Sequence, residues 1–245
     1  MYSAVILAKN DARTISDCIK AVKMLTSDII VVLDDRSNDN TGDLAAQEGA
    51  TIYSKKWEGF SKGKNYGASL TKHDWILCPD ADEILDDNLI QCLNTLKPEL
   101  DCAYLMNRCS WFADIPVRHS GWFPDWNIRL YNKTVMHWDG KYVHERLTSK
   151  HTLKHQKLSG IINHFSFIDE SHMQQKFDYY AQMRAKEWKK SGKTPPMLKR
   201  WFGPAFRFFR TFIIKCGFLD GKTGYIIAKN EYILKRKEWE YYFKG

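Results

Sequence analysis

The sequence predicts an α/β fold in which a mostly parallel sheet carries helices on both faces, followed by a helical and basic C-terminal region. Three observations lead to this prediction. Apolar strand-like segments alternate with helical patterns over the first hundred residues, acidic residues follow two of those segments, and basic residues dominate after about residue 170. Such alternation is typical of a parallel sheet, because each crossover helix covers one of its faces.

The predicted strands of the first hundred residues are short apolar runs. Residues 4–7 and 29–33 are continuously apolar, which indicates strands that are buried on both faces. Shorter strands are predicted over residues 50–53 and 75–78.

Helices are predicted between these strands. The first places Ile15, Cys18, Ile19 and Val22 on one face, at the spacing i, i+3, i+4 and i+7. The next begins at Thr41, and another covers residues 64–70. A fourth starts at Asp86 and ends before Lys97-Pro98, because the residue before a proline disfavours helical geometry.

After residue 100 the pattern changes. Strands are predicted over residues 103–107, 127–131 and 142–147, with an aromatic-rich loop over residues 110–126. Beyond about residue 170 the chain reads as helical, with many Lys and Arg and few acids.

Composition narrows the classes of protein. The net charge of +8 and the pI near 9.0 suit an anionic partner such as a nucleotide phosphate, a lipid head group or a nucleic acid. The six cysteines are scattered without zinc-site spacing, which favours small core residues in a reducing compartment. No basic leader or membrane-spanning apolar stretch is evident, so we expect a cytoplasmic protein that does not span the membrane.

Two acidic motifs follow predicted strands. Asp34-Asp35 leaves the strand at 29–33, and Asp80-Ala81-Asp82 leaves the strand at 75–78. Ligands of open α/β sheets bind outside the carboxyl ends of strands. Asp80 and Asp82 can present carboxylates to one hard divalent cation, with diphosphate and water completing its shell. The alternative for Asp80-Ala81-Asp82 is an ordinary acidic turn after a strand. The alternative for Asp34-Asp35 is a turn in which Asp39 or Thr41 caps the next helix.

The order of these motifs resembles the inverting glycosyltransferases of family 2, which have the GT-A fold. The resemblance lies in residues 6–11, 31–41, 62–67 and 80–83. It implies that Asp34 and Asp35 contact the nucleoside, that Lys64 and Asn65 lie near a UDP-sugar donor, and that Asp80 and Asp82 hold Mn²⁺ or Mg²⁺. It also implies a catalytic domain over residues 1–168, with a nucleotide-sugar half (1–100) and an acceptor half (101–168), before a helical region over 169–245.

Further matches at residues 121–125, 129–132, 143–145, 164–166 and 217–224 resemble the branch that adds β-1,4-linked glucose to the core of lipopolysaccharide or lipooligosaccharide. Arg36 departs from the family, in which Gly is usual at this position. The Q-x-x-R-W signature of processive synthases is absent, which favours a single addition.

An inverting transfer needs a carboxylate that takes the proton of the acceptor hydroxyl. Glu145 is the first candidate, because it follows a strand end and lies downstream of the D-x-D motif. Asp125 is the second. The alternative for Glu145 is an ion pair with Arg129 or Arg146. His144 or His164 is the candidate for an additional metal ligand, although a lone histidine is more often structural.

The acceptor side is expected to be aromatic. Flat rings stack on sugar faces, and the candidates are Trp111, Trp122, Trp126, Trp138 and Tyr142. We expect some of these to be buried, with Trp122 and Trp126 the better acceptor-binding candidates beside Arg129.

The tail predicts a basic amphipathic helix, with Trp201, Ala205, Phe208 and Phe212 on one stripe. Such a helix would lie on an anionic membrane, where a lipid-linked acceptor is found. The alternatives are packing on the catalytic domain or contact with nucleic acid, and Gly203-Pro204 is expected to break the helix near its start.

These features together favour an inverting transferase that moves a hexose, glucose from UDP-glucose, onto a lipid-linked core sugar at the inner face of the cytoplasmic membrane. A nucleotidyltransferase shares the metal chemistry, but residues 7–10 lack its Gly-rich loop. A basic nucleic-acid-binding protein would leave the acidic motifs unexplained, since carboxylates repel phosphate. A non-catalytic sugar-binding module would bind glycan without nucleotide.

Overall fold

A computed structural model describes residues 1–139, 146–150, 152–192 and 197–244, without the side chains of residues 198 and 199. Three predicted functional residues, Tyr142, His144 and Glu145, lie outside the described residues. Most of the strand predicted over 142–147 lies outside them as well. The predictions for these positions therefore stay predictions.

The α/β GT-A fold is confirmed, and its N-terminal half is parallel. Strands β1 (Tyr2–Ala8), β2 (Ile29–Asp34), β3 (Thr51–Lys55) and β4 (Trp75–Leu77) pair in the order β3-β2-β1-β4. Between them run α1 (Ile15–Lys23), α2 (Thr41–Gln47) and α3 (Phe60–Ser69). Each of these elements overlaps its predicted position. The apolar runs of β1 and β2 and the i, i+3, i+4 spacing of α1 report burial directly.

The other half of the sheet is antiparallel. It contains β5 (Glu83–Leu85), β6 (Cys102–Phe112), β7 (Ile115–Pro116), β8 (Asp125–Asn132) and β11 (Lys154–Phe167), and α4 (Asp87–Thr95) follows β5. A separate two-stranded sheet pairs β9 (Met136–Trp138) with β10 (Leu147–Ser149). Strand β8 joins the two halves of the sheet by pairing antiparallel with β4. Strands β5, β7, β9 and β11 are additions to the sequence prediction.

Glycines let α3 pack closely on the sheet. A Cβ atom on Gly67 would lie 2.4 Å from Cγ1 of Val5, and one on Gly63 would lie 3.1 Å from Leu7. Val5 and Leu7 are buried residues of β1. The Gly-Lys-Asn-Tyr-Gly segment therefore places α3 directly against β1 and buries Lys64 there.

The chain divides into two compact units. Unit 1 comprises residues 1–108 and 125–164, and unit 2 comprises residues 109–124 and 165–245. Unit 2 contains α5 (Glu170–Lys190), α6 (Met197–Phe209), a π-helix (Arg210–Ile214), a 3₁₀ helix (Gly217–Asp220) and α7 (Gly221–Lys244). No helix within the described residues combines the length and the apolar character needed to cross a membrane.

Helix α6 differs from its prediction in two ways. It continues through Pro204 to Phe209, so the break expected at Gly203-Pro204 is wrong. The predicted stripe is also divided: Trp201 and Ala205 are exposed, whereas Phe208 and Phe212 are half-buried and pack against each other with ring centroids 5.6 Å apart. Both phenylalanines also contact the ring of Tyr225 on α7.

Candidate active site

The two acidic motifs flank the carboxyl end of β1 within unit 1. Ala8 of β1 pairs with Leu33, the residue before Asp34, and Leu7 forms a parallel bridge with Asp80. Because β1 lies between β2 and β4, Asp34 and Asp80 lie on opposite sides of the same strand end. This is the edge where open α/β sheets bind ligands.

The first motif contains one anchored and one exposed carboxylate. Asp34 is buried and accepts hydrogen bonds from Nε and Nη2 of Arg36, at 2.9 and 2.6 Å. These bonds are the main reason that the pKa of Asp34 falls to about 2. The carboxylate of Asp35 is exposed, while its backbone N–H is bonded to the carbonyl of Lys55. Arg36 stands where the family usually has Gly. Its guanidinium is hydrogen-bonded to Asp34, whereas the Asp35 side chain lies at the surface.

A surface cleft adjoins Asp34. It is lined by Lys55, Trp57, Glu58 and Gly59. Lys55 Nζ lies 4.0 Å above the ring of Tyr66 on α3. The cleft therefore places an acid, two lysines and the Trp57 side chain beside the strand end.

A turn follows the first motif as the alternative predicted, but the N-cap of α2 is Asn40 rather than Asp39 or Thr41. Oδ1 of Asp39 accepts hydrogen bonds from the backbone N–H and the hydroxyl of Thr41 at the start of α2. Asp39 also accepts a bond from the backbone N–H of Ala12, which joins this loop to the loop after β1. Asp39 and Thr41 therefore hold the loops in place, and this leaves the two preceding acids at the strand end.

The second motif is supported by a buried ion network. Nη2 of Arg129 lies 2.6 Å from Oδ2 of Asp80 and 2.5 Å from Oε1 of Glu83, and its Nε donates to Oε2 of Glu83 at 2.8 Å. Glu83 is fully buried and Arg129 is 5 % exposed. Burial alone would raise the pKa of Asp80, but Arg129 and Lys64 lower it to about 2. Asp80 is therefore ionised at neutral pH.

Asp125, the second candidate for the base, belongs to the same network. Its Oδ2 accepts hydrogen bonds from Nε and Nη2 of Arg108, at 2.9 and 2.7 Å. Nη1 of Arg108 lies 3.3 Å from Oε1 of Glu83. Glu83 thus links the two arginines that hold Asp80 and Asp125, while the Asp125 side chain stays 39 % exposed.

The carboxylates fit a hard divalent cation when further ligands are supplied. Oδ2 of Asp82 lies 3.3 Å from Nε2 of His164 on β11, so this histidine is beside the motif. Carboxylate oxygens are the donors that Mg²⁺ and Mn²⁺ take, and Mg²⁺ usually binds through one or two carboxylates plus phosphates. Within the described ranges, no three His, Cys, Asp or Glu side chains group closely enough to hold a metal by themselves. A cation at this motif would therefore need further ligands, such as water or phosphate oxygens.

The helix predicted to lie near the donor contacts β9. Asn65 exchanges hydrogen bonds with the backbone N–H and C=O of Trp138, each at 3.0 Å. Nζ of Lys64 lies 4.3 Å from the centre of the Trp138 ring. Lys64 is 2 % exposed, so its charge acts on Asp80 from inside the fold.

The aromatic acceptor candidates fall in different places. Trp126 lies in unit 1, half-buried, with Nζ of Lys157 4.6 Å above its ring. Trp122 lies in unit 2, where it packs 5.5 Å from the ring of Phe167. Trp138 is buried, and Trp111 stacks on Phe165. Arg129, which was predicted to bind the acceptor beside Trp122 and Trp126, is buried in the ion network with Asp80 and Glu83.

The segment before Trp122 is anchored inside unit 2. The Asp220 carboxylate accepts hydrogen bonds from the backbone N–H groups of Arg118 and His119 and from the hydroxyl of Ser120. Asp220 belongs to the segment 217–224 that resembles the family. Its role in the structure is to hold this loop, a contact between residues about a hundred positions apart that local patterns do not reveal.

The chain is similar to proteins of one glycosyltransferase family. The pattern of "Glycosyl transferase family 2" matches residues 3–162. The chain is similar to an uncharacterised glycosyltransferase of Rickettsia bellii, with 25 % identity across 91 % of this chain and 80 % of the relative. A Rickettsia typhi glycosyltransferase gives 26 % identity with the same coverage. Among solved structures, S. aureus TarS residues 1–349 covers 100 % of this chain and 92 % of its own, at 11 % identity and a TM-score of 0.46.

Proposed function

Since the chain belongs to glycosyltransferase family 2, we propose that it transfers a hexose from a UDP-sugar, glucose from UDP-glucose, to a core sugar of lipopolysaccharide or lipooligosaccharide. The observation that carries the proposal is the meeting of both acidic motifs at the end of β1, inside the region matched by the family. The β-1,4 linkage and the core acceptor rest on the sequence resemblance.

The donor would occupy the carboxyl edge of the parallel strands. Asp35 offers an exposed acceptor for a base N–H or a ribose hydroxyl, and the cleft beside Asp34 offers Trp57 and Lys55. Asp80 and Asp82 would hold Mn²⁺ or Mg²⁺ together with the diphosphate. When bound, the cation would offset the negative charge that develops on the departing nucleoside diphosphate.

The transfer itself needs a carboxylate on the acceptor side. As the acceptor hydroxyl oxygen bonds to the anomeric carbon, the bond from that carbon to the diphosphate oxygen breaks, and the hydroxyl proton passes to the carboxylate. Glu145 is our first candidate for this base, and Asp125 the second. Asp125 is partly exposed and held by Arg108, so it is ordered and accessible at once.

The acceptor sugar would be recognised by tryptophan rings, and its lipid anchor would place it at a membrane surface. Trp126 is half-buried with Lys157 above one face, and Trp122 is half-buried in unit 2. A core saccharide of this kind is attached to lipid, so the enzyme would act as a peripheral protein at the cytoplasmic face of an anionic membrane. The net charge of +8 is consistent with such a surface.

Calorimetric titration with UDP, with and without Mn²⁺, tests the donor site. We expect binding that is strengthened by Mn²⁺, and we expect Asp82→Asn to lose that metal-dependent gain. Asp87→Asn, an exposed acid in the first turn of α4, is the matched control and should bind as the wild type does. If Asp82→Asn kept its metal-dependent binding, or if UDP did not bind at all, the proposed donor site would be wrong.

Product analysis tests the reaction. UDP-glucose with a core oligosaccharide acceptor should yield UDP and an extended saccharide of inverted anomeric configuration. Release of inorganic pyrophosphate from a nucleoside triphosphate and a sugar phosphate would instead indicate a nucleotidyltransferase.

A further inference from the structure

The exposed face of α6 is apolar, which is the reverse of an ordinary surface helix. Phe202, Phe206, Phe209 and Ile213 follow one another at the spacing i, i+4, i+7 and i+11 into the π-helix, and form what we call the apolar face. Their exposed fractions are 69, 58, 50 and 45 %. The opposite side contains the buried Pro204 of α6 and the buried Thr211 of the π-helix. The apolar face is therefore largely open to solvent.

Neighbouring elements of unit 2 extend this character. Trp201 is 73 % exposed at the start of the face, and Phe218 and Leu219 of the 3₁₀ helix are also exposed. Single exposed apolar residues are normal on a protein surface, but a contiguous patch of exposed aromatic side chains is not. Such a patch marks an interaction site.

The charges around the apolar face have one sign. Residues 197–222 contain six Lys or Arg and one acid, Asp220, whose carboxylate is bonded to the loop at 118–120. Arg207 pairs with Glu231 on α7. In the described part of unit 2, Arg210, Lys215 and Lys222 have no carboxylate at ion-pair distance. An apolar surface with unpaired cations fits an anionic bilayer better than a second copy of this chain, because two copies would bring like charges together.

We propose that α6 and the π-helix insert the apolar face into the head-group layer of an anionic lipid bilayer, with Trp201 at the interface and Arg210, Lys215 and Lys222 on lipid phosphates. The guanidinium of Arg200 lies 5.7 Å from the Trp201 ring, a pairing suited to the polar–apolar boundary. The proposal rests on the proposed function and names the surface that meets the membrane. This surface is not the stripe predicted from the sequence, because Phe208 and Phe212 of that stripe pack against each other.

Co-sedimentation of the full-length protein with vesicles tests the inserted face. Wild type should bind vesicles that contain phosphatidylglycerol, and Phe206→Ser with Phe209→Ser should weaken binding by at least about tenfold, because each substitution removes apolar area from the bilayer. The matched control is Tyr179→Ser with Tyr180→Ser, a pair of aromatics on α5 with exposed fractions of 58 and 53 %. This control should bind as wild type does.

Two further measurements separate the alternatives. Lys215→Gln with Lys222→Gln should weaken binding to anionic vesicles and leave the weaker binding to neutral phosphatidylcholine unchanged. Brominated lipids should quench tryptophan fluorescence in wild type and much less in Trp201→Phe. Equal vesicle binding by wild type and the Phe206/Phe209 variant would overturn the proposal. So would a lipid-free dimer, seen by light scattering, that this variant converts to monomer while vesicle binding is absent.

The membrane surface and the donor site can fail independently. Titration with UDP and Mn²⁺ should be unchanged in the Phe206/Phe209 variant, because those residues lie in unit 2 and the acidic motifs lie in unit 1. Loss of vesicle binding with intact UDP binding is the expected result for this variant. Intact vesicle binding by a wild type that binds no UDP would leave the membrane proposal standing and contradict the proposed function.

Discussion

Replacing Arg129 by Met should destabilise unit 1 by about 3 kcal/mol. The substitution leaves Glu83 fully buried without its closest partner, and breaking a buried ion pair by removing one side typically costs about 3 to 5 kcal/mol. We choose the lower end because Nη1 of Arg108 stays 3.3 Å from Oε1 of Glu83 and the backbone N–H of Asp80 donates to Oε2. Adding Glu83→Gln to Arg129→Met removes the stranded charge and should recover about 2 kcal/mol.

Hydrogen exchange of the amides in residues 75–85 measures this effect locally, and urea unfolding measures it for the chain. Arg184→Met is the control, since Arg184 and Glu187 form an exposed pair at 2.9 Å with side chains 50 and 61 % exposed. Such pairs contribute about 0 to 1 kcal/mol. The reasoning is refuted if Arg129→Met costs no more than Arg184→Met, or if the double variant is less stable than Arg129→Met alone.

Two other substitutions test the anchored acid and the packing of α3. The pKa of Asp34 falls from 3.8 to about 2, so its contribution to stability is present above about pH 4 and is lost as the pH falls towards 2. Arg36→Gln should therefore cost about 1 kcal/mol near neutral pH, a value discounted because Arg36 is 57 % exposed. The difference from wild type should vanish in urea unfolding near pH 2, and a constant difference across the pH range would contradict this account. Gly67→Ala should cost about 1 to 3 kcal/mol, because its Cβ would lie 2.4 Å from Cγ1 of Val5. Gly203→Ala on α6, whose nearest neighbour is 3.9 Å away, should instead be neutral or stabilising by up to about 1 kcal/mol, and equal thermal shifts for the two variants would be inconsistent with close packing.

The parallel half of the sheet could be predicted because its burial is regular. Strand β1 is buried at every position and α1 buries Ile15, Cys18, Ile19 and Val22, so both give a periodic apolar signal. Strand β11 has no such signal. Its fourteen residues begin with four exposed positions and then alternate irregularly, with Gly160 at φ +100° against Leu89 of α4. A sequence pattern cannot reveal a strand whose faces change environment along its length.

The positions of the acids in the candidate site could be predicted, but the buried residues that hold them in place could not. Asp34, Asp35, Asp80 and Asp82 directly follow apolar strands, so topology alone brings them to one edge. Arg129 and Glu83 are 46 positions apart, and charged residues are ordinarily exposed, so nothing local indicates a buried pair. The position of Arg129 between Ile128 and Leu130 indicates that it lies in a strand, but it does not indicate its partner.

Both acidic motifs place one carboxylate against an arginine and leave the second carboxylate further out. In each, an arginine fixes one acid beside β1: Arg36 holds Asp34 and Arg129 holds Asp80, and each acid has a pKa near 2. The other acid stands further out, Asp35 at the surface and Asp82 beside His164. A strong ion pair lowers the affinity of a carboxylate for a cation, because the arginine already neutralises it. We therefore expect that Asp82→Asn reduces metal-dependent UDP affinity more than Asp80→Asn reduces it at equal stability, and that Asp35→Asn weakens UDP binding equally with and without metal.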